Sequence, residues 1–322
     1  MALTDSMTMG NTPVTTPDLS VQLGPVQLKN PILTASGTCG YTWELGDFVP
    51  VTELGGFVTK SITLKPRKGN PPQRTVETAA GMLNAIGLAN IGLERFCNER
   101  IPEIERMGIP VFVNVAEKSI ERYVEVSQRL SDCEQIAGLE LNISCPNVHE
   151  GGLQFGTDPV AIGKLVAAVR EACPKTYLMV KLTPSVTDIT LPARAAIESG
   201  ADCLTLINTF TGMKIDIETR RPILGNRTGG LSGPAIKPLA VRLVNQVYEK
   251  VARDAGIPLI GIGGIACAED ALEFIIAGAT AVQVGTSVFT DPGCMARTLG
   301  GLNDYLTRHQ IPRLSQLIGS LR

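Results

Sequence analysis

The sequence of 322 residues predicts an α/β fold, a (β/α)8 TIM barrel in a single domain. Short apolar, β-branched runs alternate along the chain with segments whose apolar residues recur at helical spacing. The runs are apolar throughout, which is typical of parallel strands that helices cover on both faces. Eight such strand–helix units fit within about 260 residues, the usual size of this barrel. The pattern alone leaves an open, doubly wound sheet as the alternative.

The eight strands are predicted in chain order from these runs. Helical spacing is clearest at 162–169 and 240–251, where apolar residues fall on one face of a helix. A Gly-Ile-Pro triplet at 108–110, and again at 256–258, indicates the end of a helix and the start of a strand. The strands are predicted at 31–35, 57–60, 111–115, 139–143, 178–182, 203–208, 259–262 and 281–285.

The remaining segments are predicted as a tail, a hairpin and two long connections. Residues 1–20 carry neither the basic start nor the apolar stretch of a signal peptide, so we expect a flexible tail before a barrel domain at 21–322. A repeated Val-Gln-Leu at 21–23 and 26–28 predicts an N-terminal β-hairpin that closes the bottom of the barrel. The connections 61–91 and 209–238 are too long for simple turns, and we expect binding loops over the C-terminal face.

Composition argues against several classes of function. The chain has 29 basic and 31 acidic residues and 4% aromatic residues, which indicates no surface for nucleic acid. The uncharged stretch 274–290 is shorter than the roughly 20 residues of a membrane span, so no membrane insertion is expected. Eight cysteines without a Cys-x-x-Cys pair, and two histidines, predict no metal site and reduced thiols in a cytoplasmic protein.

Polar residues occur at the ends of the predicted strands. In a parallel barrel these C-terminal ends meet on one face, which is where barrel enzymes have their active sites. Buried lysines and carboxamides are costly unless they have partners, so a set of them at one face indicates a polar ligand site. The polar residues at the strand ends are Ser36, Lys60, Ser61, Asn114, Asn142, Lys181, Asn208 and Thr209.

Glycines after the last two strands indicate a phosphate site. Gly263 and Gly264 follow the seventh strand, and Gly285 and Thr286 follow the eighth, at the two loops where barrels bind phosphate. The run 261–266 also fits the Gly-x-Gly-x-x-Ala fingerprint of dinucleotide-binding folds. It lacks the acidic residue about 20 positions further on and lies in the seventh unit, so a mononucleotide phosphate is favoured.

Cys145 differs in context from the other seven cysteines. It lies in the loop after the fourth strand, beside Pro146 and Asn147 and shortly before Gly151 and Gly152. This position over the barrel mouth suits a thiolate that acts as a base or a nucleophile. The sequence therefore predicts Cys145 as the catalytic residue.

Five sequence blocks resemble those of the dihydroorotate dehydrogenases, most closely the soluble class 1 enzymes. The blocks lie at 84–92, 140–152, 228–238, 261–265 and 284–287, and the resemblance extends over 21–310. The membrane-bound class has a serine base and an N-terminal membrane helix, whereas this chain has Cys145. The resemblance implies an FMN-dependent oxidoreductase that converts (S)-dihydroorotate into orotate in pyrimidine (UMP) biosynthesis.

The resemblance also implies roles for individual residues. The Cys145 thiolate would remove the C5 proton of the substrate while hydride passes from C6 to flavin N5. One FMN per chain would be surrounded by Ser36, Lys60, Ser61, Asn114, Asn142, Lys181, Ile207, Gly233, Gly263, Gly264, Gly285 and Thr286. The substrate would contact Lys60, Asn84, Ala85, Ile86, Gly87, Leu88, Asn142, Asn147, Asn208 and Thr209.

The electron acceptor divides the class 1 enzymes into two branches. The length and the stretch 229–238 look more like the branch that uses NAD through an electron-transfer subunit carrying FAD and a [2Fe–2S] cluster. This implies a homodimer that forms the core of a heterotetramer. One departure is Asn90-Ile91-Gly92, where the family pattern has Asn-Pro-Gly.

Three alternatives remain open at the level of sequence. The first is a class 1 enzyme of the homodimeric branch that uses fumarate. The second is a flavin barrel similar to dihydropyrimidine dehydrogenase, with the same cysteine loop but no need for contacts to a substrate carboxylate. The third is a barrel that binds a phosphorylated ligand and is not an enzyme.

Overall fold

The structure is a computed structural model that describes residues 16–144 and 156–322. In the described residues the strands, in chain order, are β1 (Val21–Leu23), β2 (Val26–Leu28), β3 (Ile32–Thr34), β4 (Phe57–Val58), β5 (Thr75–Thr78), β6 (Gly81–Asn84), β7 (Val111–Val115), β8 (Gly138–Asn142), β9 (Leu178–Leu182), β10 (Cys203–Leu206), β11 (Phe210–Gly212), β12 (Ile215–Asp216), β13 (Arg221–Pro222), β14 (Gly229–Ser232), β15 (Leu259–Ile262) and β16 (Ala281–Val284).

Eight of these strands form one parallel sheet in the order β3–β16–β15–β10–β9–β8–β7–β4. A parallel bridge between Leu33 and Gly56 joins the two outer strands, and Thr34 Oγ1 donates to Val58 O at 3.1 Å across the same seam. The sheet therefore closes on itself, which confirms the (β/α)8 barrel and excludes the open doubly wound alternative. The predicted strands agree with the observed ones to within one or two residues at each end.

Helices cover the outside of this barrel. Ser119 begins the third helix by accepting from the amide of Arg122, and Asp158 begins the fourth by accepting from Val160. Gly256, in the left-handed conformation with φ +66°, ends the seventh helix before β15. The helices are α1 (Leu93–Glu99), α2 (Ile101–Ile104), α3 (Ile120–Ser131), α4 (Pro159–Ala172), α5 (Thr190–Glu198), α6 (Lys237–Val247), α7 (Arg253–Ala255), α8 (Ala268–Ile276), α9 (Ser287–Thr290) and α10 (Cys294–Arg308).

No helix within the two described ranges is both long and apolar enough to cross a lipid bilayer. A π-helical turn at Tyr248–Ala252 joins α6 to α7, and short 3-10 turns lie at Val51–Glu53, Pro234–Ile236 and Leu314–Leu317.

The N-terminal hairpin is confirmed. β1 and β2 pair antiparallel, and Gly24 in their turn lies so close to Tyr177, just before β9, that a Cβ there would be 2.7 Å from its ring. The hairpin therefore packs at the end of the barrel where the strands begin. Of the expected N-terminal tail, residues 1–15 lie outside the described residues, and Asp18 exchanges backbone hydrogen bonds with Pro312 and Leu314.

The two long connections form a second sheet, where the sequence analysis expected only loops. β5 and β6 come from the first connection and β11 and β14 from the second, and they assemble antiparallel in the order β11–β14–β6–β5. Asn84 pairs with Gly230 in this sheet, so two segments far apart in sequence join beside the C-terminal ends of the barrel strands. The strands β12 and β13 form a separate small ribbon.

The interior of the barrel contains polar side chains at and below the rim formed by the C-terminal strand ends. Barrel interiors are usually filled by branched apolar residues, so buried polar groups there need a specific explanation. Each of these side chains is at most 5% exposed, and they are Asn114, Glu140, Lys181, Thr205 and Gln283.

Candidate active site

The C-terminal ends of the barrel strands bring the predicted polar residues to one rim. Lys181, on β9, donates from Nζ to Ser36 Oγ, just after β3, at 3.1 Å. Asn208, just after β10, donates from Nδ2 to Asn142 Oδ1 at the end of β8, also at 3.1 Å. Residues that are up to 145 positions apart in sequence thus meet in hydrogen bonds at this rim. The parallel topology is what makes these contacts possible.

The end of β8 is held by contacts on its side chain and its backbone. Asn142 Oδ1 also accepts from the amide of Ser144 at 3.3 Å. Tyr123, fully buried on α3, donates its hydroxyl to Asn142 O at 2.7 Å. These bonds fix the chain at the point where it leaves the barrel. Cys145 and Asn147, which follow directly, lie outside the described residues.

Two lysines contribute positive charge at the rim in different surroundings. Lys60, after β4, is half-buried, and burial lowers the pKa of its amine, as does the nearby Arg74 guanidinium, while Glu44 partly opposes both. Lys181 is 5% exposed, and its Nζ lies 3.9 Å from Glu140 Oε1. A buried ammonium with a carboxylate partner is a fixed positive charge, suited to a ligand group that carries or develops negative charge.

The segment 84–88 forms a tight turn anchored by Asn70. Asn70 Nδ2 donates to Ala85 O at 3.0 Å, and Asn70 N donates to Ile86 O at 3.0 Å. Gly87 and Leu88 have φ of +73° and +56°, and a Cβ at Gly87 would lie 2.5 Å from the Asn70 side chain. Only glycine fits position 87 without displacing Asn70, so the turn presents its backbone in one fixed conformation.

The second sheet lies directly against the rim. Asn84 Nδ2 donates to Gly230 O at 3.3 Å, so this side chain, predicted to bind substrate, makes a hydrogen bond inside the second sheet. A Cβ at Gly230 would lie 2.0 Å from Thr209 Oγ1, which shows how closely β14 approaches the end of β10. Thr209 N in turn donates to Asn208 Oδ1 at 2.8 Å. The substrate residues predicted from two connections are therefore adjacent.

A glycine-lined cradle forms where β14, β15 and β16 end. Gly233 and Gly264 have φ of +97° and +76°, and a Cβ at Gly264 would lie 2.8 Å from Gly233 O. A Cβ at Gly233 would lie 3.6 Å from Thr286 Cγ2, and Thr286 Oγ1 donates to Ser232 Oγ at 2.7 Å. Glycine backbone and hydroxyls at one point can hold a phosphate group.

A lysine that lies beside this cradle has carboxylate partners of its own. Lys237, at the start of α6, donates to Asp270 Oδ1 at 2.7 Å and to Glu273 Oε1 at 2.6 Å. These two hydrogen bonds raise the pKa of Lys237 above its usual value. The side chain therefore joins α6 to α8, and a phosphate in the cradle would depend on backbone amides and hydroxyls.

Three of the predicted residues, Ser61, Asn114 and Ile207, lie below the rim or within the barrel wall. Asn114 is fully buried and accepts from Ser61 Oγ at 2.5 Å. Ile207 is 2% exposed, and its amide donates to Ile262 O at 3.1 Å, which continues the pairing of β10 with β15. The predicted strand 203–208 is longer than β10, which ends at Leu206, and this backbone bond lies in the additional part.

Sequence reasoning missed Glu140 and Gln283. Asn114 Nδ2 donates to Glu140 Oε1 at 2.6 Å, and Gln283 Nε2 donates to Glu140 Oε2 at 2.8 Å. The available signal was a charged residue in the middle of an otherwise apolar predicted strand, at 139–143. Gln283 offered a weaker signal, because a single amide in a strand is common.

This fold, with converging polar groups and a glycine-lined cradle at the C-terminal rim, is typical of (β/α)8-barrel enzymes. A family model described as dihydroorotate dehydrogenase matches residues 18–306. The chain belongs to the dihydroorotate dehydrogenase family.

Individual relatives agree with this assignment. The chain is 52% identical over 305 residues to a protein from Pelobacter propionicus named dihydroorotate dehydrogenase B (NAD(+)), catalytic subunit, covering 95% of this chain and 99% of that one. It is 50% identical over 306 residues, with the same coverage, to a protein of that name from Geotalea daltonii. The solved structure of DHODH from Eimeria tenella in complex with ferulenol has the same fold, with a TM-score of 0.78, 24% identity and coverage of 94% and 88%.

Proposed function

We propose that this chain is the catalytic subunit of an NAD-linked dihydroorotate dehydrogenase, which oxidises (S)-dihydroorotate to orotate in pyrimidine biosynthesis. Relatives with about 50% identity over 95% of the chain carry that name. The observation that carries the proposal is the meeting of Lys181, Ser36, Asn142 and Asn208 at one rim beside a glycine cradle. Such a rim suits a planar, polar substrate lying next to a phosphorylated cofactor.

The proposed cofactor is one FMN per chain. Gly233, Gly264 and Thr286 lie together where three strands end, and glycine backbone beside a hydroxyl can bind a phosphate. Within the described ranges, the buried Thr205 Oγ1, Gln283 Oε1 and Ser144 Oγ lack hydrogen-bond partners, so the barrel retains polar capacity for a ligand or water. Bound FMN would supply the acceptor for the hydride that leaves C6 of the substrate.

The proposed roles of the remaining residues follow from their chemistry. Lys181, anchored by Ser36, would face the flavin edge at which negative charge develops on reduction. Lys60 would bind the substrate carboxylate, and the Asn84, Asn142 and Asn208 carboxamides would both donate to and accept from the imide. Cys145, outside the described residues, would take the proton from C5 as a thiolate base.

The proposed acceptor is NAD, reached through an electron-transfer subunit that carries FAD and a [2Fe–2S] cluster. The words "catalytic subunit" in the relatives' names support a second subunit. We further propose a homodimer of this chain at the core of a heterotetramer in the cytoplasm. The seven cysteines in the described residues are free thiols, which is consistent with that compartment.

An anaerobic visible spectrum of the purified chain tests the proposal. We expect a flavin spectrum that bleaches when dihydroorotate is added, because the substrate reduces the bound flavin. Dihydrouracil, which lacks the carboxylate, serves as the matched comparison and should bleach it far more slowly. Preferential bleaching by dihydrouracil would favour the dihydropyrimidine dehydrogenase-like alternative. A colourless protein that FMN cannot reconstitute would contradict the proposal and favour a non-enzymatic phosphate-binding barrel.

A further inference from the structure

Glu140 is a fully buried carboxylate in the interior of the barrel. It lies on β8, two residues before Asn142, so both side chains face the same side of the sheet. In the register of β8 with β9, Asn142 pairs with Lys181 and Glu140 pairs with Met179. Glu140 therefore occupies the layer directly below the rim. An isolated charge in this position would be strongly unfavourable, so its partners are informative.

Both carboxylate oxygens accept from carboxamides. Asn114 Nδ2 donates to Oε1 at 2.6 Å and Gln283 Nε2 donates to Oε2 at 2.8 Å. Asn114 is itself held by Ser61 Oγ. Two amide donors, one to each oxygen, fix the plane of the carboxylate inside the barrel.

The positive partner of this carboxylate is Lys181. Its Nζ lies 3.9 Å from Glu140 Oε1 and donates to Ser36 Oγ at 3.1 Å. The ammonium is thus tethered from the layer below by Glu140 and at the rim by Ser36. A lysine side chain has four rotatable carbons, so without these two contacts its charge would not have a fixed position.

We propose that Glu140 is a positioning residue that holds the Lys181 ammonium at the flavin edge and offsets part of its charge, and so sets the reduction potential of the bound flavin. The inference rests on the proposed FMN site. Lys181 stabilises the negative charge of the reduced flavin, and a carboxylate 3.9 Å away weakens its field at neighbouring groups. Glu140 therefore lowers the potential that Lys181 alone would give.

The test is the midpoint potential of the flavin in Glu140→Gln holoenzyme, titrated with dithionite against a reference dye. Because Ser36 still holds the ammonium when the Glu140 charge is removed, we expect the potential to rise by about 30 mV, which corresponds to a tenfold change in a two-electron equilibrium. The substitution is nearly isosteric, and Gln283 Oε1, unpartnered among the described residues, can accept from the new amide if the Gln283 carboxamide rotates. An unchanged potential would overturn the proposal.

A double variant separates positioning from a direct effect of charge. In a Lys181→Met background the ammonium through which Glu140 is proposed to act is absent. Glu140→Gln then reports only the direct effect of the carboxylate on the flavin, and we expect less than half of the shift seen with Lys181 present. An equal shift in both backgrounds would show that Glu140 does not act through Lys181.

Asp202→Asn is the matched control. Asp202 pairs with Arg170 and precedes β10, at the opposite end of the barrel from the rim, so its loss should affect stability and leave the potential unchanged. If Glu140→Gln does not fold, Glu140→Asp keeps the charge but withdraws it by one methylene, and should give a smaller rise. No rise in that variant would also overturn the proposal.

Dithionite reduces the flavin without any substrate, so the potential can be measured whether or not dihydroorotate reacts. This separates the inference from the proposed function. A flavin that dihydroorotate does not bleach, but whose potential shifts in Glu140→Gln, would contradict the substrate and leave this inference standing. Bleaching without a shift would contradict this inference alone. A chain that binds no FMN would contradict both.

Discussion

Ile91 stands where the family resemblance leads us to expect proline. Its amide donates to Tyr41 Oη at 3.3 Å, a bond that proline cannot form. Tyr41 packs edge-on against Phe96 with a centroid distance of 5.9 Å, and the Arg100 guanidinium lies 5.9 Å from its ring. A buried tyrosine thus takes over part of the restraint that a proline ring would impose on the loop after the segment 84–88.

At the scale of single residues, Cys145→Ser tests the proposal that Cys145 is the base that removes the C5 proton. A serine hydroxyl is a far weaker base than a thiolate near neutral pH, so we expect flavin reduction by dihydroorotate to slow by about a hundredfold or more. FMN content should remain that of the unchanged chain. The flavin absorbance before mixing gives the FMN content, and its decay in anaerobic stopped flow gives the rate of reduction.

Cys133→Ser is the control for this substitution, because Cys133 follows the end of α3 and lies near the start of β8, away from the rim. Its reduction rate should match that of the unchanged chain. Equal rates for Cys145→Ser and Cys133→Ser would remove Cys145 from the mechanism.

At the scale of elements, Gly264 and its neighbours form the cradle only because three loops approach closely. Gly264→Ala would place a Cβ 2.8 Å from Gly233 O, in a backbone conformation with φ +76° that costs about 1 kcal/mol for alanine. We expect FMN affinity to fall by at least about tenfold, since either Gly233 or Gly264 must move away from the phosphate. Titration of apoprotein with FMN, followed by flavin fluorescence, measures this.

Gly256→Ala is a matched control for the backbone effect. Gly256 has φ +66°, but nothing lies within 4 Å of a Cβ there. It should lower thermal stability through the same backbone strain but without the steric clash, and it should leave FMN affinity unchanged. If the two variants bind FMN equally, the cradle is not the phosphate site.

The ion pair between α6 and α8 makes a prediction about pH. Burial alone would raise the pKa of Asp270, but hydrogen bonds from Lys237, from the amide of Ala266 and from the Cys267 side chain outweigh it, so the pKa lies below its ordinary value of 3.8. A carboxyl with a lowered pKa stabilises the fold above the unfolded pKa, and this contribution is lost as the pH falls through the folded value. Lys237, whose pKa is raised, contributes at every pH below its unfolded value.

Asp270→Asn should therefore melt about 2 °C below the unchanged chain at neutral pH. The difference should narrow as the pH falls below 3.8 and close only below the lowered pKa of Asp270, where the carboxyl is protonated in the folded unchanged chain as well. Asp254→Asn, on an 85% exposed side chain, is the control and should show no difference at any pH. A gap for Asp270→Asn that persists unchanged in acid would contradict the assignment of the lowered pKa.

The elements also show what sequence patterns can and cannot reveal. The barrel strands were predictable because their apolar runs end at polar or glycine residues that repeat eight times. The second sheet was not, because β14 reads Gly-Gly-Leu-Ser and its partner β6 lies about 150 residues earlier in the chain. Pairing of such short, glycine-containing strands depends on the barrel beneath them, as the contact between Gly230 and Thr209 illustrates.

For the whole molecule, closure of the barrel explains why so much of the rim was predictable. Once eight parallel strands close, the residues after each of them must share one face, and so Lys181 reaches Ser36 across 145 positions. The network below the rim does not follow from that rule. Glu140 contacts Gln283 because barrel curvature brings β8 opposite β16. The local sequence of neither strand indicates that these two side chains are close.

The identity of the electron acceptor is a prediction that concerns the molecule as a whole. The run 261–266, which fits a dinucleotide fingerprint in sequence, forms the end of β15 and part of the glycine cradle, so NAD would have to bind elsewhere. We expect the isolated chain with dihydroorotate and NAD to be reduced once per FMN and then to stop. Addition of an electron-transfer subunit carrying FAD and a [2Fe–2S] cluster should restore turnover with NAD, measured as NADH absorbance. Fumarate given to the isolated chain is the comparison, and sustained orotate formation with it would assign the chain to the fumarate-using branch instead.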